Sequence, residues 1–188
     1  MRKIIIGLTG TKASGKGEII KYLKSIGFVD LSLSDIVRDE AKKRNLEITT
    51  PNLQDIGDEL RKKGGTGILA KIISGKLEID YKNKSKIVID SIRNPGEIKY
   101  FIKKFKKIFL LIGVDADEKI RLKRYLSREG VTKKEFEKDN NRDIGKWQRK
   151  TGQQVEKCLN LAEIIIKNND SLADLKKELQ IVLKNLNF

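Results

Sequence analysis

Apolar positions fall along this chain in two alternating rhythms. Short runs with hardly a polar interruption occur at residues 3–9 (KIIIGLT), 28–31 (FVDL), 86–90 (KIVID), 108–114 (IFLLIGV) and 162–167 (AEIIIK). Each has the length of a strand, and the first has the continuity of a central strand covered on both faces. Between them the spacing turns helical. Ile19, Ile20, Leu23 and Ile26 recur on one face until Gly27 ends the pattern. Ser34 or Asp35 caps a helix reaching about Lys43, and Pro51-Asn52 opens another that carries Leu53, Ile56 and Leu60. GGTG at residues 64–67 reads as a hinge or turn before an apolar stretch at 68–73. Pro95 starts a helix bearing Ile98, Phe101, Ile102 and Phe105. Residues 115–128 read as a strongly charged helix, and Ser171 caps a last one with the stripe Leu172, Leu175, Leu179 and Val182.

Strand and helix in alternation predict an α/β fold: a five-stranded, mostly parallel sheet between helical layers, joined by right-handed crossovers. A chain of 188 residues suits a single domain, residues 1–188, with no repeat or linker to divide it. The segment 130–151 departs from the pattern, being rich in charge and poor in core residues. It reads as a lid over a site or as a solvated helical excursion.

Charge and composition narrow the chemistry. There are 41 Lys plus Arg against 26 Asp plus Glu, a formal charge of +15, which favours polyanionic ligands such as nucleotides or RNA, although a Lys- and Ile-rich composition also fits a thermophilic surface. No histidine is present, so histidine-based proton transfer and histidine-bearing zinc sites are excluded. The single cysteine, Cys158, forms no internal disulfide and reads as a small helix-face residue. No apolar run is long enough to cross a bilayer, and a cytoplasmic protein without a membrane partner is expected, as a monomer or homodimer.

The most specific signal follows the first strand. Gly10, Thr11, Lys12, Ala13, Ser14, Gly15, Lys16, Gly17 and Glu18 (GTKASGKGE) lie between a predicted strand and a predicted helix, the context of a phosphate-binding loop. Gly10 and Gly15 permit a tight path, successive amides and the helix N-terminus address phosphate oxygens, and Lys16 adds a positive charge. Such loops usually place Ser or Thr after the lysine, to touch Mg²⁺. Here Gly17 and then Glu18 follow.

The SGKG ending resembles adenylate kinase-type nucleoside monophosphate kinases, in which glycine follows the lysine and Thr comes next. A group of archaeal sequences classed as predicted nucleotide kinases has a similar loop with Glu in that place. The resemblance implies the P-loop NTPase fold, a three-layer α/β/α arrangement with a small helical lid, and ATP and Mg²⁺ as cofactors. SLSDIVR, from Ser32 to Arg38, looks like the kinase motif of an Asp, two apolar residues and an Arg, and implies that Ser34, Asp35 and Arg38 bind the acceptor within a segment of about 32–75. DSIR, from Asp90 to Arg93, resembles the kinase Asp-Gly segment. It implies Asp90 as the metal ligand and Arg93 as a phosphate bridge, though the arginine stands one residue sooner than is typical. Arg124 and Arg128, four apart in IRLKRYLSR, are similar to a pair that reaches the donor nucleotide, and Arg121 shares their face. Arg142 and Arg149 of the lid segment would close on the transferring phosphate. Trp147 reads as a packing residue, with base stacking the alternative.

Dephospho-coenzyme A kinase is the competing resemblance, carried by IIIGLTGTKASGKGEIIKYLKSIGF, SREGVTKKEFEK and LAEIIIKNNDSLADL. That family has a carboxylate four residues before the arginine equivalent to Arg38, where this chain has Ser34, and Ser or Thr after the loop lysine. The expectation is therefore an ATP-dependent phosphotransferase acting on a nucleoside monophosphate or similar nucleotide, with Lys16, Arg93, Arg124 and Arg128 as its catalytic cations. Dephospho-coenzyme A kinase is the first alternative. The second is an ATP-driven switch that binds RNA or a protein.

Overall fold

The computed structural model describes residues 3–127 and 131–186. Its centre is β1 (Ile4–Gly10), buried at every position. Parallel neighbours flank it on both sides, β3 (Lys86–Ile92) and β4 (Phe109–Asp115), with β2 (Val29–Ser32) and β5 (Ile164–Lys167) at the edges, giving the order β2-β3-β1-β4-β5. All four pairings are parallel, so the expected five strands appear with bounds shifted by one or two residues.

Alternation along β1 divides the core. Ile5 faces one side with Ile87, Ile89 and Leu111, against α4 (Ile68–Asp80) and α5 (Pro95–Phe105), which contribute Leu69, Ile73, Ile98 and Phe101. Ile4, Ile6 and Leu8 face the other side, against α1 (Lys16–Ser25) and α9 (Leu172–Asn185) through Ile19, Leu23, Leu175, Leu179 and Leu183. Each such side chain contributes about 1.5–3 kcal/mol by leaving water, so the sheet and its two helical layers form one cooperative unit.

Between β2 and β3 the chain makes three helices, α2 (Leu33–Lys43), α3 (Thr50–Gly64) and α4, with GGTG turning α3 into α4. The cap of α2 corrects the expectation of Ser34 or Asp35. Ser32 Oγ accepts from the Ser34 amide at 3.3 Å, because the helix follows β2 with no intervening loop. Ser34 and Asp35 therefore sit in its first turn, with Arg38 one turn on. The charged helix α6 spans Glu118–Leu126 and not 115–128, since Asp115 still belongs to β4. Arg128 lies outside the described residues, as does residue 130. Beyond them come α7 (Lys133–Ile144) and the short α8 (Val155–Leu159).

The pattern of segment 130–151 implies few core contacts. In α7, however, Phe136, Asp139, Asn140 and Asp143 are all buried. Cys158 on α8 is buried too, and desolvation pushes its thiol well above the usual range. It is expected to ignore an aromatic disulfide reagent in the native protein and to react stoichiometrically once guanidinium unfolds the chain. Rapid native labelling would contradict this packing.

Candidate phosphate-binding site and acceptor cleft

Two glycines set the path of the loop from β1 to α1. A Cβ on Gly10 would stand 2.0 Å from the Val114 carbonyl oxygen, and Gly15 adopts φ 103° with Asn168 Nδ2 2.1 Å from where its Cβ would be. Ala13 is left-handed as well, at φ 60°. Among the described residues, the amides of Ala13, Gly15, Lys16 and Gly17 donate to no main-chain carbonyl. N–H groups gathered in this way at a helix N-terminus are able to hold an anion.

The loop is pinned around its circumference. Thr11 Oγ1 donates to Asp115 Oδ1 at 2.9 Å, Asn168 Nδ2 donates to the Ser14 carbonyl at 2.8 Å, and Arg121 Nη1 reaches the Lys12 carbonyl at 3.3 Å. Lys16 folds back across the loop and donates from Nζ to the carbonyls of Gly10 (2.7 Å) and Thr11 (2.9 Å). Desolvation lowers its pKa to about 8, with Arg93 and Arg121 adding to the effect while Asp143 and Asp90 oppose it. Glu18 pairs with Lys21 at 2.7 Å along the outer face of α1. Gly17 is open, with no atom of the described residues within 4 Å of where a Cβ would stand, its chain neighbours and its own helix backbone aside.

Asp90 stands where the sheet is irregular. Gly7 pairs with Ile89 and Thr9 with Ile92, so β3 carries one extra residue, and Ser91 there takes φ 62°. Thr9 Oγ1 donates to the Ile92 carbonyl at 2.9 Å and braces the bulge. Bulges of this kind re-aim side chains beside sites. Asp90 Oδ2 accepts from Ser91 Oγ at 3.2 Å, whereas Oδ1 is buried with no hydrogen-bond partner among the described residues. Ser14 Oγ, in the loop, is the same.

Beside the loop lies a cleft of about 150 Å³ whose polar lining includes Ser34, Arg38, Gln54, Arg61, Arg93 and Gln153. Arg38 is exposed and donates to Asp35 at 3.2 Å. Arg61 is held from behind by Glu97, Nε to Oε1 at 2.9 Å, with side chains only 3% and 0% exposed. Arg93 pairs with Asp143 of α7, which pushes its guanidinium pKa further up, and its Nη1 also reaches Gln153 at 3.5 Å. Gln54 Nε2 donates to that same Gln153 oxygen at 3.2 Å.

Helix α7 is the roof of this arrangement. Its Asp139 takes Lys12, its Asp143 takes Arg93, and its Asn140 accepts from Arg121 at 2.6 Å. Arg142 turns the other way and bonds Asp55 (2.5 Å) and Asp58 (3.0 Å) of α3. Arg124 donates to the Asn168 carbonyl at 2.8 Å, supporting the turn after β5 rather than lining the cleft. Arg149 lies on an outer groove with Trp147. Trp147 is 84% exposed, so the expectation that it packs is corrected: the turn after α7 directs it to solvent.

Arg61, Gln54, Gln153, Arg121, Asp139 and Asp143 enlarge the set that the motifs suggested. Three of them left a trace in the sequence: Arg121 shares a helix face with Arg124, and Asp139 and Asp143 are four apart in a basic segment. No local pattern marks the others.

A family model described as an AAA domain matches residues 6–148. The chain is 28% identical to the UPF0200 protein of Pyrococcus abyssi over 191 residues, 97% of each chain. It is 32% identical to the UPF0200 protein of Thermococcus kodakarensis over 126 residues, 66% of this chain and 68% of that one. Among solved structures, a dephospho-CoA kinase from Campylobacter jejuni matches with a TM-score of 0.55 at 19% identity, covering 97% of this chain and 96% of that one, which is a likeness of fold. With a model match that runs from β1 past the end of α7, and archaeal relatives aligned along nearly its whole length, the chain belongs to the AAA_18 family of P-loop domains and to the UPF0200 proteins.

Proposed function

We propose that this protein is a kinase that moves the terminal phosphoryl of ATP to a nucleoside monophosphate or a similar nucleotide. The observation that carries the reading is the adjacency of two anion sites of different construction. One is the amide-lined loop with Lys16; the other is the cleft onto which Arg38, Arg61 and Arg93 open. Phosphoryl transfer asks the protein chiefly for alignment and for neutralisation of charge on the moving group. The loop would hold the donor phosphates, the arginines would hold the acceptor phosphate, and Arg93, at the junction, would face both. An acceptor phosphate is already anionic near neutral pH and needs no strong base, which suits a chain without histidine. Asp90, with its buried unpartnered oxygen beside the loop, would hold a hydrated Mg²⁺, which supplies further charge neutralisation at the donor phosphates.

The test is a coupled ADP-release screen of ribo- and deoxynucleoside monophosphates together with dephospho-coenzyme A. One monophosphate is expected to stimulate release well above the rate with water alone. Arg38→Ala should raise the KM for that acceptor by about 10–100-fold, the worth of a charge-assisted phosphate contact, and leave the KM for ATP nearly unchanged. A change confined to ATP would place the acceptor elsewhere.

A hydroxyl acceptor is the second reading, and Asp30 favours it. Its Oδ1 is buried with no hydrogen-bond partner among the described residues, and desolvation raises its pKa, reinforced by Asp90 and Asp35 and opposed by Lys24. Such a carboxylate could take a hydroxyl proton. Stimulation by dephospho-coenzyme A but by no monophosphate would select this reading.

Lys16 gives a pH signature. Polyphosphate stabilises the ammonium, so binding raises a pKa that stands at about 8 in the free protein. Below pH 8 the lysine is already charged and affinity is flat. Above it, binding must take up a proton, and ATP affinity should fall by up to about tenfold per pH unit. Titration calorimetry at pH 9 in two buffers of different ionisation enthalpy should show that uptake; identical heats would contradict it.

A further inference from the structure

Trp147 is out of keeping with the rest of the molecule. It is the chain's single tryptophan, it is 84% exposed, and its backbone is left-handed at φ 58°, where a bulky residue is rarely held. The conformation is fixed from both sides, since Lys146 N donates to the Asn141 carbonyl at 2.9 Å and Gln148 N to the Gly145 carbonyl at 3.1 Å. A turn that spends strain to hold an indole in water points to a ligand for that face.

The surroundings define the ligand's chemistry. Lys146 Nζ sits 4.6 Å from the centre of the indole ring. Gln148 borders two adjoining grooves. One contains Trp147 and Arg149; the other is lined by Lys99, Lys150 and Lys157 together with Thr66 and Gln154. Among the described residues none of these five cations has an acidic partner within ion-pair distance. The acids nearby, Asp58 and Glu59, are already committed to Arg61 and Arg142 and to Arg44 and Lys63 respectively. An exposed aromatic ring flanked by unpaired cations is the arrangement that stacks an unpaired base and tracks the phosphates beside it. The hydroxyl of Thr66 and the amide of Gln148 add groups able to bond a ribose 2′-hydroxyl.

We propose that this outer face, built by Trp147 with Lys99, Lys146, Lys150 and Lys157, binds single-stranded RNA. It is separate from the acceptor cleft, though Asn94 joins the two by donating to the carbonyls of Lys150 (2.9 Å) and Gly152 (2.8 Å) next to Arg93.

The experiment is an anisotropy titration of a labelled short oligouridylate with the full chain, accompanied by the intrinsic tryptophan fluorescence, which comes from Trp147 alone. RNA should quench that fluorescence, with a log–log salt slope of about −2 to −3 for three to four phosphate contacts. Trp147→Ala should weaken binding by about tenfold or more, and Trp147→Phe should restore most of it. A K99Q/K150Q/K157Q variant should flatten the salt slope, and millimolar ATP should not displace the RNA, which keeps this result independent of the kinase reading. Absence of quenching at low salt, equal affinity of the Ala and Phe variants, equal binding of oligodeoxythymidylate, or equal competition by polyglutamate would each overturn the proposal.

Discussion

Replacing Lys16 with alanine is expected to lower phosphoryl transfer by about two to three orders of magnitude while leaving the fold intact. The fold expectation follows from what Lys16 touches: its ammonium bonds the Gly10 carbonyl at the end of β1 and the Thr11 carbonyl in the loop, and among the described residues it makes no bond to any more distant element. The loop keeps its other anchors through Thr11, Asn168 and Arg121. The catalytic expectation follows from its charge, which a phosphate oxygen would draw away from those carbonyls. Calorimetry should find a melting temperature close to that of the wild type, together with a large loss of ATP affinity. An unchanged rate of transfer would remove the loop from the mechanism.

Glu97→Ala is expected to produce the largest loss of stability of any single substitution near the cleft. This carboxylate is wholly buried and saturated: Oε1 accepts from Arg61 Nε at 2.9 Å, and Oε2 accepts from the amides of Arg93 (2.8 Å) and Asn94 (3.0 Å). Removing it strands a guanidinium in the interior, with Asp58 at 3.4 Å its remaining carboxylate, and opens the capping box of α5. Breaking one side of a buried ion pair costs about 3–5 kcal/mol, which for a domain of this size lowers the melting temperature by on the order of 10 °C. Glu97→Gln keeps the shape and an acceptor oxygen, so it should fall between the two. A shift of less than about 2 °C for Glu97→Ala, below what even 1 kcal/mol would produce, would show that Arg61 finds another partner. The same residue bears on function, because Glu97 holds both Arg61 and the main chain of Arg93 at the cleft.

The strands were legible because parallel strands buried on both faces leave uninterrupted apolar runs, and β1 is the extreme case. Helix starts were legible where capping and proline signals are clear, as at Ser171 and Pro95. They misled at Ser34, since Ser32 caps α2 while still inside β2, and a serine-rich stretch does not say which serine is extended. The glycine-rich turn from β1 to α1 is local in sequence, and its path is legible there. The cleft is not. Arg61 meets Glu97 across 36 residues and Arg93 meets Asp143 across 50, and only the tertiary fold creates those pairs. The β3 bulge at Ser91 was equally silent, because DSI reads as an ordinary strand and the irregularity exists only in the register with β1. Glu18, which stands where related loops carry Thr, is turned outward to Lys21.

Direct transfer of radiolabel from γ-labelled ATP is the sharpest test of the central claim, that the loop and the arginine cleft act on one phosphoryl group. Wild type, Lys16→Ala and Arg38→Ala would be compared on the acceptor that performs best in the ADP-release screen. Label is expected on the acceptor with the wild type, almost none with Lys16→Ala, and with Arg38→Ala recovery only at raised acceptor concentration. Label released solely as inorganic phosphate, whatever acceptor is supplied, would contradict that claim.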